Sequence, residues 1–163
     1  ARPHAVCLVP ERREERTTEG GLDVAGQHNT VAPFVTRLRE AGIRVSLFID
    51  PHPVQIAVAE ALGAPVVELH TGAFCEAVAS GDARRAQAEL DLIREAAREG
   101  AARGIEVHAG HGITFDSVTP VAAIPEIMEL NIGHFLVGEA IFIGLEASIR
   151  RMKALMIEAR ATT

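Results

Sequence analysis

Short runs of apolar residues alternate with longer segments in which apolar residues recur every three or four positions. The short runs predict buried strands, and the longer segments predict amphipathic helices. The segment 11–27 is polar and contains glycines, so we expect a long loop there. The fifth strand lies either at 126–134 or at 134–142. The other predicted strands are 4–10, 43–50, 65–72 and 105–112, and the predicted helices are 28–42, 51–64, 81–104, 116–124 and 147–161.

Residues typical of helix ends mark two of these helices. Asn29 or Thr30 is expected to cap the first helix, with Pro33 in its first turn. Asp82 is expected to cap the long helix, and Gly104 to end it.

The order of elements places the chain in the α/β class. Strands that alternate with helices predict a parallel sheet with both faces covered. Each βα unit has roughly 33 residues, which is normal for this repeat, whereas a complete (β/α)8 barrel needs about 250 residues. The pattern leaves open a doubly wound sheet or part of a TIM barrel, in either case as one domain over 1–163. No glycine-rich nucleotide-binding motif follows the first strand, which disfavours nucleotide-binding versions of the open sheet.

Composition and charge exclude several classes of function. Hydrophobic residues make up 48% of the 163 residues and charged residues 23%, as in globular proteins. The net charge of −6 and the absence of long basic runs argue against nucleic acid as a partner. No segment approaches the roughly 20 apolar residues that span a bilayer. The N-terminal residues resemble neither a signal peptide nor an anchor, so we expect no membrane partner.

The cysteines and the lysine restrict the chemistry further. Cys7 and Cys75 lack paired spacing, which indicates reduced, buried thiols in a cytosolic protein rather than a disulfide. The single lysine, Lys153, falls in the last predicted helix. A mechanism in which the enzyme's own lysine forms a Schiff base therefore has one poor candidate.

Polar side chains collect where the predicted strands end, which is the edge at which α/β proteins bind ligands. Asp50 ends the second strand, and Glu68 and His70 share a face of the third. A carboxylate in a buried strand is costly unless it is paired, so Glu68 is either a structural ion-pair partner or a functional acid. His70 and His108 are better explained as hydrogen-bonded core histidines. Their spacing with His111 is too unspecific to predict a metal site.

His111 differs because it stands between Gly110 and Gly112. Glycines let the backbone approach a ligand and free amide groups to face an anion. The segment with Gly133 and His134, followed by a short apolar helix, repeats this pattern one strand later. Barrels bind phosphate with such loops and the N-terminus of a short extra helix. Two ordinary glycine turns are the alternative explanation.

Five segments together resemble the pyridoxine 5′-phosphate synthase family along the whole chain. They are CLVPERREERTTEGGLDV, VSLFIDP, ELHTG, AGHGIT and IPEIMELNIGHFLVGEAIF. The resemblance implies a (β/α)8 barrel with extra helices, of which this chain carries strands four to eight. It also implies a strand at 127–132 and a phosphate-facing helix at 134–143. The family condenses 1-deoxy-D-xylulose 5-phosphate with 3-amino-2-oxopropyl phosphate to pyridoxine 5′-phosphate, phosphate and water.

The resemblance also implies roles for particular residues. His111 matches the proton donor, and Glu68 matches a carboxylate that stabilises the transition state. Gly112 matches a residue that binds the amino-ketone phosphate, and so do Gly133 and His134. Thr17, in the loop after the first strand, matches a contact to the deoxyxylulose phosphate. No cofactor or metal is implied, because the amine that forms the Schiff base belongs to the substrate.

The family's earlier strands, which carry a histidine and a glutamate that accept protons, have no counterpart in these residues. We therefore expect the 163 residues alone to be inactive. The resemblance further implies a homo-octamer in the cytoplasm, with small phosphorylated molecules as partners. Two alternatives remain: another phosphate-sugar barrel enzyme, such as an epimerase or aldolase, and a half-barrel without catalytic function.

Overall fold

A computed structural model describes residues 2–10 and 20–161 of the chain. Five parallel strands form one sheet in the order β1-β2-β3-β4-β5, so that each strand lies beside the next in the chain. The predicted α/β class with parallel strands is confirmed. The strands are β1 (Ala5–Leu8), β2 (Arg44–Ile49), β3 (Val66–His70), β4 (Glu106–Gly110) and β5 (Ile127–Asn131).

Seven helices lie in the described part of the chain, and each strand is followed by one or two of them. The strand at Ile127–Asn131 and the helix at His134–Ile143 agree with the boundaries that the resemblance implied. The helices are α1 (His28–Glu40), α2 (Pro53–Ala61), α3 (Gly72–Ser80), α4 (Ala83–Ala102), α5 (Val118–Ala122), α6 (His134–Ile143) and α7 (Leu145–Ala161).

Helix α3 is missing from the sequence prediction. Its residues GAFCEAVAS contain one charged side chain, and its buried residues are Phe74, Cys75 and Ala77. Such a segment lacks the polar face that identifies an amphipathic helix. Gly81 ends the helix with a left-handed φ of 74°, immediately before α4 begins.

The two faces of the sheet have different surroundings. One face packs against the helices and forms the core, with side chains such as Leu47, Leu69 and Val107 fully buried. The opposite face carries polar residues at alternate positions, and Cys7 and Glu129 on it are exposed. The prediction that both faces are covered is therefore wrong for the residues described. Strand β3 shows why the two faces differ. Val67 and Leu69 point into the core, and Glu68, which lies between them, points to the opposite face.

Helix α1 begins at residue 28 as predicted, but its predicted cap is wrong. Gln27 precedes the helix, which begins at His28, and the Thr30 amide already donates to the Gln27 carbonyl at 2.9 Å. Asn29 and Thr30 therefore lie inside the first turn, and neither caps it. Pro33 is the sixth residue of the helix rather than part of its first turn.

The limits of α4 are confirmed. Asp82 accepts a hydrogen bond from the Arg85 amide at 2.9 Å, as an N-cap does. The helix ends at Ala102, and Gly104 follows with a left-handed φ of 75°. The sequence predicts both boundaries because each depends on a local effect. The Asp82 side chain caps the helix within one turn, and Gly104 can adopt the left-handed conformation that ends it.

Both cysteines are free thiols, but only Cys75 is buried. Cys7 is exposed because it lies on the polar face of β1, so the prediction of a buried thiol is wrong there. None of the helices in residues 2–10 and 20–161 has the length and apolar character needed to cross a membrane.

Candidate functional site

A pocket of ≈ 410 Å³ opens where β3, β4 and β5 end. It brings together five of the six predicted site residues, which are Glu68, His111, Gly112, Gly133 and His134. Thr17, the sixth, lies outside the described residues. The pocket is lined by Val9, Phe48, Glu68, His111, Gly112, Ile113, Thr114, Asn131, Ile132, Gly133, His134 and Phe135.

The backbone turns sharply at His111, directly after β4. His111 has a φ of 78°, which makes it the one non-glycine residue with a positive φ in the described chain, and Gly112 has the same value. Thr71 stabilises the turn, because its hydroxyl contacts the carbonyl oxygens of Gly110 and His111 at 2.8 and 2.6 Å. A Cβ at position 112 would lie 3.1 Å from the Cβ of Cys75. Strain in this region clusters at functional sites.

The His111 ring packs beside two other rings at the pocket. Its centroid is 5.0 Å from that of His70 and 6.4 Å from that of Phe48. Burial lowers the pKa of His111, and the neighbouring His70 and His134 lower it further. A ring that is neutral in much of the population near neutral pH exchanges protons readily.

Glu68 is held from three directions. Asn131 Nδ2 donates to its Oε2 at 2.9 Å, and the Cys7 thiol lies 3.7 Å from the same oxygen. Gly110 leaves room for the carboxyl group, since a Cβ there would overlap Glu68 Oε1. Desolvation raises the pKa of Glu68, although these hydrogen bonds and the charge of His108 oppose the shift. The carboxyl group is therefore fixed in place and poised to face developing positive charge or to carry a proton.

The wall formed by β5 and α6 differs from the turn at His111. Gly133 precedes α6, and a Cβ built on it meets no atom within 4 Å. His134 is the first residue of the helix, whose opening turn has amide groups without intrahelical partners. The N-terminus of a helix at a pocket wall is suited to binding an anionic group.

The other two strand-end histidines lie outside the pocket lining. His108 is buried, and its Nε2 lies 2.7 Å from Glu106 Oε1, while its Nδ1 lies 3.7 Å from Glu129. His108 is therefore buried and hydrogen-bonded as predicted, but it lies on the polar face of the sheet and not in the hydrophobic core. His70 Nδ1 lies 3.2 Å from Asp50 Oδ1, and its ring packs beside His111.

Sequence reasoning missed the function of Asn131 and Thr71 at this site. Asn131 is the last residue of β5, and its bond to Glu68 crosses from β5 to β3 past β4. Thr71 gave no signal, because a threonine after a strand is common. The register of the parallel strands offered one clue, since Glu68, His108 and Glu129 are neighbours across the sheet. Among residues 2–10 and 20–161, no group of three or more His, Cys, Asp and Glu side chains has the geometry to hold a metal ion.

Comparison with known proteins identifies relatives of this chain. Residues 1–158 match the family model described as "Pyridoxal phosphate biosynthesis protein PdxJ". The chain is 64% identical over 155 residues to a pyridoxine 5′-phosphate synthase of Rhodospirillum rubrum, covering 95% of this chain and 61% of the relative. It is 62% identical to the Zymomonas mobilis protein of that name, with coverages of 98% and 61%, and 58% identical to the Ruegeria pomeroyi one, with 98% and 64%.

The chain thus spans 61–64% of the length of these relatives, while nearly all of its own residues are matched. The match includes the segments that supply β3, β4, β5 and the pocket between them. The chain belongs to the PdxJ family of pyridoxal phosphate biosynthesis proteins.

Proposed function

We propose that the protein containing this chain is a pyridoxine 5′-phosphate synthase. It would condense 1-deoxy-D-xylulose 5-phosphate with 3-amino-2-oxopropyl phosphate to pyridoxine 5′-phosphate, phosphate and water. The observation that carries the proposal is the pocket that unites Glu68, His111, Gly112, Gly133 and His134 in a chain of this family. Relatives that bear this name support the choice of reaction.

His111 is proposed as the proton donor. Schiff-base formation, loss of water and loss of phosphate each need a proton delivered to a leaving oxygen. Burial and the neighbouring histidines lower the pKa of His111, so the protonated ring gives up its proton readily. A positioned general acid contributes about 10²–10⁴-fold to rate.

Glu68 is proposed to stabilise cationic character that develops in the substrates. Condensation of an amine with a ketone passes through a protonated imine, which a nearby carboxylate stabilises. Asn131 and Gly110 fix the carboxyl group before substrate binds, so little reorganisation is needed during the reaction. The orientation of Glu68 therefore matters as much as its charge.

Backbone amides and histidines are proposed to hold the phosphate of the amino-ketone. Gly112, Gly133 and His134 lie around one pocket, and among the described residues that line it there is no Lys or Arg. Anion binding would then come from the first turn of α6 and the amides after His111. Thr17 is proposed to contact the deoxyxylulose phosphate.

The architecture and assembly belong to the same proposal. We propose that the five strands are strands four to eight of a (β/α)8 barrel, with the polar face of the sheet toward its interior. That face carries Glu68 and His108. The family resemblance further supports a homo-octamer in the cytoplasm.

The direct test uses the full-length protein with both phosphorylated substrates and follows pyridoxine 5′-phosphate formation. His111→Asn should lower turnover by about 10²-fold or more. His28→Asn, which alters an exposed histidine at the start of α1, is the matched control and should keep wild-type turnover. Wild-type turnover in His111→Asn would contradict the assigned role, and absence of product from the wild-type protein would contradict the reaction.

The phosphate wall is tested by Gly133→Leu. Because a Cβ at this position meets no atom within 4 Å, the fold should tolerate the substitution while the leucine fills space next to the pocket. Affinity for the amino-ketone phosphate should fall at least about tenfold, as when a binding contact is lost. Gly138→Leu, in α6 but outside the pocket lining, is the matched control, because a Cβ there also meets nothing.

A further inference from the structure

Asp50 and His70 form a partly buried pair beside His111, outside the lining of the pocket. His70 Nδ1 lies 3.2 Å from Asp50 Oδ1, and the His70 side chain is only 10% exposed. The Gly21 amide donates to the same carboxylate oxygen at 2.9 Å. Asp50 is thereby held by two hydrogen bonds. Its carboxylate in turn orients the His70 ring, because Nδ1 faces Asp50 and Nε2 points away.

The other nitrogen of His70 is unusual. Nε2 is buried and has no hydrogen-bond partner among the described residues. A Cβ at Gly72 would lie 2.6 Å from this nitrogen and 3.3 Å from His111 Cδ2, so the glycine lets the two rings approach. Phe48 closes the other side, with its ring centroid 5.2 Å from that of His70. A buried polar atom without a partner is costly, and such atoms often mark functional sites.

We infer that Asp50 and His70 are positioning residues that fix the orientation and the charge of His111. This inference rests on the proposed role of His111 as a proton donor. The hydrogen bond to His70 lowers the pKa of Asp50, so an ionised carboxylate lies against one side of the His70 ring, and the His70 and His111 rings lie 5.0 Å apart. A cation on His70 disfavours a second one on His111. The proton on His111 is therefore held loosely and passes readily to substrate.

The surroundings of His111 agree with this assignment. Burial is the largest cause of its lowered pKa, followed by His70 and then His134. Glu68 lines the same pocket, but it is not among the groups that shift the pKa of His111. The Cys75 thiol contacts the backbone carbonyl of His111, at 3.8 Å, rather than its ring. His70 is thus the residue that contacts Asp50 on one side and the His111 ring on the other.

The test measures the protonation of His111 directly, without relying on turnover. The full-length protein is treated with diethylpyrocarbonate, which modifies neutral imidazole, and the labelling rate of the His111 peptide is followed by mass spectrometry from pH 5 to 8. The plateau at high pH reports accessibility, and the midpoint reports protonation. The variants are His70→Gln, Asp50→Asn and the double variant, with His28→Gln as the control. Asp50→Asn keeps the shape of the side chain and an oxygen for the Gly21 amide.

The midpoint for His111 should move to higher pH in both single variants. Labelling at pH 6, normalised to the plateau, should fall about two- to threefold because more of the ring is protonated. The double variant should show no more than the effect of His70→Gln, since Asp50 acts through His70. The same displacement should appear in the pH profile of turnover.

An unchanged midpoint in folded Asp50→Asn and His70→Gln proteins, or a midpoint displaced to lower pH, would overturn the inference. Folding is checked by circular dichroism. If the wild-type protein makes no pyridoxine 5′-phosphate, the proposed reaction fails while the labelling result still stands. If it does make the product and the midpoints coincide, the positioning role alone fails.

Discussion

The fold and the candidate site both require a residue without a side chain at position 110, which is Gly110. A Cβ there would overlap Glu68 Oε1 and lie 2.9 Å from the Asn131 carbonyl oxygen and 3.2 Å from Asn131 Cβ. The carboxyl end of Glu68 can turn aside, but the backbone of β5 cannot move without disturbing the sheet. We therefore expect Gly110→Ala to lower the free energy of unfolding by about 1–3 kcal/mol, as overpacking does.

The assay is urea unfolding followed by circular dichroism, at fixed protein concentration because association contributes to stability. Gly138→Ala is the control. This glycine lies inside α6 with open space around it, so alanine should stabilise the protein by about 0.5–1 kcal/mol. If Gly110→Ala lowers the free energy of unfolding and Gly138→Ala raises it, crowding is separated from the general effect of replacing a glycine.

A double variant tests which atoms cause the crowding. Glu68→Ala removes the overlapping carboxyl group but leaves the contacts with Asn131. The cost of Gly110→Ala should therefore fall by at least about 0.5 kcal/mol in the Glu68→Ala background. Equal costs in both backgrounds, or a Gly110→Ala protein as stable as the wild type, would refute the reasoning.

Three further predictions concern stability. Hydrogen bonds to Arg44 and then His108 lower the pKa of Glu106 from 4.5 to about 2. The contribution of Glu106 to the free energy of unfolding is therefore complete above pH 4.5 and is lost as the pH falls toward 2. Arg44→Gln should weaken this loss of stability at low pH, as measured by unfolding at several pH values. Thr71→Val removes hydroxyl bonds to the Gly110 and His111 carbonyls and should cost about 1–3 kcal/mol in urea unfolding, whereas an unchanged midpoint would contradict their importance. Asp82→Ala should cost about 1 kcal/mol by loss of the α4 cap, and Asp91→Ala, at an exposed position in the same helix, should cost less.

The parts of the fold that the sequence predicted are those decided by local chemistry. Asp82 and Gly104 bound α4 because a cap and a left-handed glycine act within a few residues. The glycines around His111 indicated a turn for the same reason, and the structure shows two consecutive left-handed residues there. The position of β5 was not fixed by apolar pattern alone, because both candidate segments were apolar; the family resemblance supplied the choice.

The parts that could not be predicted depend on distant neighbours. The exposure of Cys7 requires knowing which face of the sheet the helices cover. The contact between His70 and His111 depends on the register of β3 against β4 and on the room left at Gly72. Helix α3 was hidden because burial on several sides removes the polar stripe that reveals a surface helix.

The left-handed backbone at His111 sets stability against activity at a single position. Histidine in this region carries strain of about 1–2 kcal/mol, which glycine would not. Replacement of His111 by glycine should therefore yield a more stable protein that lacks the proposed proton donor. Selection for abundance alone would favour glycine or asparagine here, and selection for the proposed reaction would retain histidine. A mutational scan of position 111 would measure stability in one assay and growth without vitamin B6 in another. The two assays should rank histidine, asparagine and glycine in opposite order, and this reversal would mark position 111 as functional without any structure.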